Sequence, residues 1–255
     1  MSRVVAWSLL AIAVACGGEP PPASATTSAA STVMPAGSST SVSPEPPTGP
    51  ATARRPARPP EPAVPQLRPP PPGLADLREA VPAARFAIGY ATADNFTAAP
   101  LPGYGAPGAW AHPALAAALA EVDAVLLREG LGLLIYDAYR PRRATAAMVA
   151  WARRSGRTDL LDDGYIAARS QHNRGLAIDV TLVERPTGTP LAMGTAWDTF
   201  SRDSATFAVQ GEARRNRERL RAAMIAVGLR PHDGEWWHFA LPHADAPVLD
   251  VAYAP

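Results

Sequence analysis

SQHNRGLAIDVTLV, residues 170–183, changes character at its midpoint. Up to Gly175 it is polar and carries no apolar period, which describes a loop. From Leu176 to Val183 the residues alternate: Ile178, Val180 and Leu182 point one way, Ala177, Asp179 and Thr181 the other. Such a strand packs a core with its apolar face and lines a site with its small, polar one. Asp179 falls on the lining face, and His172 sits in the loop that feeds it.

Upstream, Phe86 to Tyr90 reads as a first strand, followed by the Gly/Pro-rich loop NFTAAPLPGYGAPGAW. His112-Pro113 opens a helix whose apolar face is Leu115, Leu119, Val122 and Leu126, ending near Gly130. Leu131 to Tyr139 is a strand candidate stopped at Arg140-Pro141, and Arg142 to Arg154 a second helix ended near Gly156. Downstream, Arg214 to Val227 reads as a third helix capped by Gly228, and Trp236 to Leu241 as the last strand. Helices and strands mix without regular βαβ alternation. The expected fold is therefore α+β, a mainly antiparallel central sheet flanked by helices.

Composition places this core in the C-terminal part of the 255-residue chain. More than half of the 29 prolines precede Gly73, among Ala, Ser, Thr and Gly with few large apolar residues. Residues 17–73 are expected to be a disordered tether, and residues 74–255 a single domain. The N-terminus, MSR followed by an apolar run from Val4 to Ala15, has the form of an export signal, and that run is too short to span a bilayer. Ala13-Val14-Ala15-Cys16 resembles the lipobox of bacterial lipoproteins. That resemblance implies a signal peptide over residues 1–16, lipid on Cys16, and a domain held at the cell envelope outside the cytoplasm. Cys16 is the sole cysteine, so no intrachain disulfide forms.

A formal charge of +1 argues against nucleic acid as a partner. All 24 basic residues are arginine. Schiff-base chemistry and a phosphate-loop lysine are thereby excluded.

His172, Asp179 and His238, with Glu235 three residues before the second imidazole, form the donor set of a catalytic zinc site. Such a site has three protein ligands, an open position and a base beside it. In a regular strand His238 shares a face with Trp236 and Ala240, which puts Glu235 on the opposite face. For Glu235 to reach the metal, the backbone around Gly234 must be irregular. His112 reads as a helix-start residue, His232 as a possible neighbour of the ligands, and His243 as part of a terminal loop.

SQHNRGLAID is similar to the S-x-H-x-x-G-x-A-x-D signature of the D-alanyl-D-alanine dipeptidases, zinc peptidases of the wider lysostaphin and hedgehog-type group. YDAYRP (136–141), NFT (95–97), MGTAWD (193–198) and EWWHF (235–239) resemble further segments of that family in the same order. The resemblance implies one zinc on His172, Asp179 and His238, with Glu235 as catalytic base and acid. It implies Arg140 facing the scissile carbonyl, the competing reading being a structural ion pair with Asp137. By its place in MGTAWD, Asp198 would receive the free ammonium of a small D,D-dipeptide substrate. Ser170 would line the site wall. Alternative functions are a D,D-carboxypeptidase trimming cell-wall peptides and a non-catalytic zinc-containing wall-binding domain; retention of Glu235 and Arg140 argues against the second.

Overall fold

The computed structural model describes residues 66–242 and 246–255. Cys16, the leader, the tether as far as residue 65, and His243 lie outside the described residues. The end of the segment read as tether is described, and there the Arg68 amide donates to the Tyr253 carbonyl at 2.7 Å.

The chain runs β1 (Ala75–Asp76), α1 (Leu77–Ala80), β2 (Arg85–Phe86), β3 (Trp110–Ala111), α2 (Pro113–Leu127), β4 (Leu131–Asp137), α3 (Arg142–Arg154) and α4 (Asp159–Asp162). It continues with β5 (Ala177–Glu184), α5 (Gly211–Ala226), β6 (Arg230–His232) and β7 (Glu235–Ala240). The α+β composition expected from the sequence is present.

The sheet is mixed rather than simply antiparallel. Its order is β2-β4-β5-β7-β6, with β2 parallel to β4 and the other three pairings antiparallel. The parallel pair follows from connectivity: β2 returns to β4 through α2, a crossover that brings the chain back in the same direction.

Helix α2 begins as its sequence dictates. His112 is the N-cap, Pro113 follows at the first position, and Leu115, Leu119, Val122 and Leu126 are buried. It packs on β4 and α5, and α5 packs on β5, β6 and β7. Leu220 and Met224 of α5 join Ile178, Val180 and Leu182 of β5 in one apolar core. Burying a Leu, Ile or Met side chain contributes roughly 1.5–3 kcal/mol, so these stripes anchor the sheet.

The strand expected from Phe86 to Tyr90 is β2, which covers only Arg85–Phe86, with Gly89–Ala91 forming a 3-10 turn. Gly89 lies under Trp197 there: a Cβ on Gly89 would meet Trp197 Cζ3 at 2.5 Å.

Two irregularities shape the site-facing side. Ile135 pairs with Val180 but Asp137 pairs with Asp179, so Tyr136 is an extra residue on β4. This bulge gives Asp137 the place that regular pairing would assign to Tyr136. On the other side of β7, Pro231 lies opposite Phe239 while His232 lies opposite Glu235, so Trp236, Trp237 and His238 lack counterparts on β6. The irregular backbone that Glu235 requires is thus present, and it extends from the hairpin turn at Gly234 to His238.

Candidate metal centre and active-site cleft

His172 comes from a 3-10 turn, Gln171–Arg174, closed by Gly175 at φ 65° in the left-handed region. A Cβ at Gly175 would lie 2.6 Å from Leu74 Cδ2 and 2.9 Å from the His112 nitrogen, so only glycine allows this close return. Asp179 comes from β5 and His238 from β7, paired directly across the ladder. The turn and the two central strands therefore carry the three side chains to one point.

His172 Nδ1 lies 2.6 Å from the Ala138 carbonyl. A carbonyl only accepts, so Nδ1 carries a hydrogen and Nε2 is the nitrogen turned toward the other two side chains. That nitrogen faces His238 Nδ1 at 3.2 Å and Asp179 Oδ1 at 3.3 Å, and His238 Nδ1 is 2.9 Å from the same carboxylate oxygen. Ligand atoms of the three residues all lie within 4.8 Å of one another. Two imidazoles and a carboxylate converging within this distance could hold a cation, and that donor set suits a transition metal. The donor set fits. Burial pushes the Asp179 carboxyl up, but the two imidazoles override it and hold the group well below the usual carboxylate range.

Arg140 follows β4, where its amide donates to the His172 carbonyl at 3.0 Å. Its guanidinium donates to Asp137 Oδ2 from Nε at 2.9 Å and from Nη2 at 2.8 Å, and lies 5.0 Å above the Tyr90 ring. Burial pulls its pKa down, and Asp137 more than restores it, so the charge is permanent. Asp137 also accepts from Tyr104 Oη at 2.5 Å. Arg140 both makes the ion pair with Asp137 and lines the cleft.

Glu235 is buried on the same cleft, a cavity of about 220 Å³ that also meets His172, Asp179, His238, Asp198 and Ser170. Burial first, and then the charge of Asp179, push its carboxyl up to about 8. Asp198 takes φ 58°, a left-handed conformation unusual outside glycine. Its Oδ1 accepts from Tyr90 Oη at 3.0 Å, while Oδ2 is buried with no hydrogen-bond partner. Ser170 lines the cleft, but its Oγ is committed to the turn, accepting from the His172 amide at 3.2 Å. His232 stands edge-on to His238, ring centroids 5.9 Å apart.

Tyr90 was not legible as a site residue, because a tyrosine at the end of a predicted strand carries no spacing signal. The NFT segment proves to be scaffolding. The Asn95 amide donates to the Thr92 and Ala99 carbonyls at 2.8 and 3.0 Å, and the knot it ties presents Phe96 to the cleft.

Comparison with known proteins agrees with this geometry. A family model described as D-ala-D-ala dipeptidase matches residues 71–254. The chain is 38% identical over 186 residues to a D-alanyl-D-alanine dipeptidase of Streptomyces coelicolor, covering 66% of this chain and 92% of that one. It is 34% identical over 180 residues to one from Enterococcus faecium, covering 65% and 89%, and 35% identical over 173 residues to one from Escherichia coli, covering 67% and 86%. With its donor set and the match across the described domain, the chain belongs to the D-Ala-D-Ala dipeptidase family and is a metallopeptidase.

Proposed function

We propose that the protein hydrolyses the D-alanyl-D-alanine dipeptide with one zinc ion held by His172, Asp179 and His238. One observation carries the reading. The three convergent donors, a buried carboxyl at Glu235, a permanent cation at Arg140 and Asp198 all line a single cleft of about 220 Å³. That volume is below the range of roughly 300–1,000 Å³ typical of drug-sized ligands and suits a dipeptide. The relatives named above are D-alanyl-D-alanine dipeptidases.

Zinc, when bound, supplies Lewis acidity toward a carbonyl and makes water more acidic. The chain's own groups do the rest. Glu235, which burial and Asp179 push up to about 8 in the metal-free chain, lies on the cleft where it could take a proton from water and return it to the departing amine. Arg140 is held on one edge by Asp137, while its Nη1 meets only the weakly accepting Met148 Sδ at 3.4 Å. With Nη2 shared between Asp137 and Asp179 Oδ2, the latter 3.7 Å away, Nη1 is the group left to the oxygen that gains charge as the amide is attacked. Asp198, its carboxyl pushed well up by burial and then by Asp179 before substrate arrives, would gain its charge on receiving the substrate ammonium, with Tyr90 holding one of its oxygens. Ser170 shapes the wall through the turn it caps. Among the described residues no helix is long and apolar enough to cross a membrane, and we assign membrane attachment to lipid on Cys16, with the domain outside the cytoplasm.

The test is incubation of the full chain with free D-Ala-D-Ala and with a pentapeptide ending in D-Ala-D-Ala, each with and without chelator. Chelator-sensitive cleavage of the dipeptide is expected. Cleavage of the pentapeptide alone would replace this reading with a D,D-carboxypeptidase.

A further inference from the structure

Arg217, in α5, is fully buried yet pairs with no carboxylate among the described residues. Its Nε donates to the Met193 carbonyl at 2.6 Å, and Nη1 to the Asp203 and Ala205 carbonyls at 2.8 and 2.7 Å. Nη2 donates to Thr195 Oγ1 at 3.3 Å. Every partner belongs to the segment 193–205, which brings Asp198 and Phe200 to the cleft. Burial pulls the guanidinium down to about 10, which leaves it charged at neutral pH.

Other contacts reinforce the same loop. Asn216, the preceding residue on α5, donates to the Ala192 carbonyl at 2.9 Å. Thr195 Oγ1 accepts a second hydrogen bond, from Trp236 Nε1 at 2.9 Å, which ties the loop to β7. Gly194 lies so close to α5 that a Cβ there would stand 3.2 Å from Ala213 Cβ and 3.5 Å from Arg217 Nη2. Asp198 needs such support. A left-handed non-glycine residue with an unpartnered buried oxygen persists only where its surroundings over-determine it.

We infer that Arg217 and Thr195 are positioning residues for substrate recognition: Arg217 gathers the carbonyls of loop 193–205, and Thr195 locks that loop to β7, so that the Asp198 carboxyl is held ready for the substrate ammonium. The inference rests on the ammonium reading of Asp198 given above. Neither residue lines the cleft, so each acts through Asp198.

The experiment uses the full, metal-loaded chain with Arg217→Leu, Arg217→Lys, Thr195→Val and, as reference, Asp198→Asn. Two quantities are read: KM for D-Ala-D-Ala, and the inhibition constant of propanoyl-D-alanine, which has the same skeleton without the ammonium. The loss of a charge-assisted hydrogen bond predicts a KM higher by about tenfold or more in Arg217→Leu and Thr195→Val. Arg217→Lys, which keeps a cation with three donors, recovers part of that loss, while the propanoyl-D-alanine constant and the metal content stay unchanged. If Arg217→Leu does not fold, Arg217→Lys and Thr195→Val give the same reading. Equal weakening of both ligands, or an unchanged KM in folded variants while Asp198→Asn raises it, overturns the positioning role. If Asp198→Asn itself leaves KM unchanged, the ammonium reading falls and this inference falls with it.

Discussion

Arg140 and Asp137 form a two-pronged ion pair, Nε at 2.9 Å and Nη2 at 2.8 Å from the same carboxylate oxygen, at the point where a bulge at Tyr136 turns Asp137 toward Asp179. Structural pairing and a catalytic position, which read as rivals in the sequence, are compatible: one edge of the guanidinium is anchored and another lines the cleft. Arg140→Ala is expected to lower kcat by about 10²–10³-fold, the usual cost of losing a preorganised oxyanion donor. It would also strand the buried Asp137 charge, at a cost of roughly 3–5 kcal/mol of stability. Steady-state kinetics with metal analysis and thermal unfolding separate the two effects. Metal content should hold.

Glu235→Gln keeps the shape and removes the proposed base. Turnover should fall by about 10²–10⁴-fold or more with bound zinc retained, as read by single-turnover assays and metal analysis. Wild-type-like turnover would remove Glu235 from the chemistry.

The same carboxyl makes the metal-free protein sensitive to pH. Its folded pKa of about 8 lies above the ordinary value of 4.5, so between these limits the folded state binds the extra proton and stability falls as pH rises. The depressed Asp179 acts oppositely, but its contribution is complete above the usual carboxylate range and lost only in stronger acid. Between pH 5 and 8, chelated wild type should therefore lose on the order of 4 kcal/mol at most relative to Glu235→Gln. Denaturant titrations across that window measure the difference, and parallel profiles would contradict it.

Metal removal should do more than stop turnover. With His172 Nε2, His238 Nδ1 and Asp179 Oδ1 left facing one another, the chelated protein loses the linkage term, about 2.7 kcal/mol when the metal stands at a hundredfold its dissociation constant. Calorimetry with and without added zinc should show the melting temperature rising with metal concentration.

Gly89→Ala probes the wall behind Asp198. The added Cβ would meet Trp197 Cζ3 at 2.5 Å and the Asp94 carbonyl at 2.7 Å, so Trp197 must shift and Asp198 with it. Overpacking costs about 1–3 kcal/mol, and KM should rise more than kcat falls. Unfolding curves and kinetics on the free dipeptide check both.

Much of this was local and hence legible. The period of α2, with Leu115, Leu119, Val122 and Leu126 inward, and the alternation of β5 follow from side-chain geometry repeated along one element. The donor set of His172, Asp179 and His238 was legible for a different reason, since each residue type has a chemistry that survives without coordinates. The parallel placement of β2 was not, because it depends on where α2 returns the chain. Nor was Tyr90, which becomes a cleft residue only when Asp198 arrives from 108 positions away.

By itself, then, the sequence determined the elements, the donor atoms and the need for a broken strand near Gly234, all consequences of short-range periodicity and side-chain chemistry. Tertiary structure alone decided that three residues of β7 would lack partners on β6, that Asp137 would replace Tyr136 opposite Asp179, and that a buried Arg217 would gather the loop bearing Asp198. The reason is physical. Register, bulges and the satisfaction of buried charges are set by which backbone groups meet, and outside the β6–β7 hairpin those groups lie far apart in the chain.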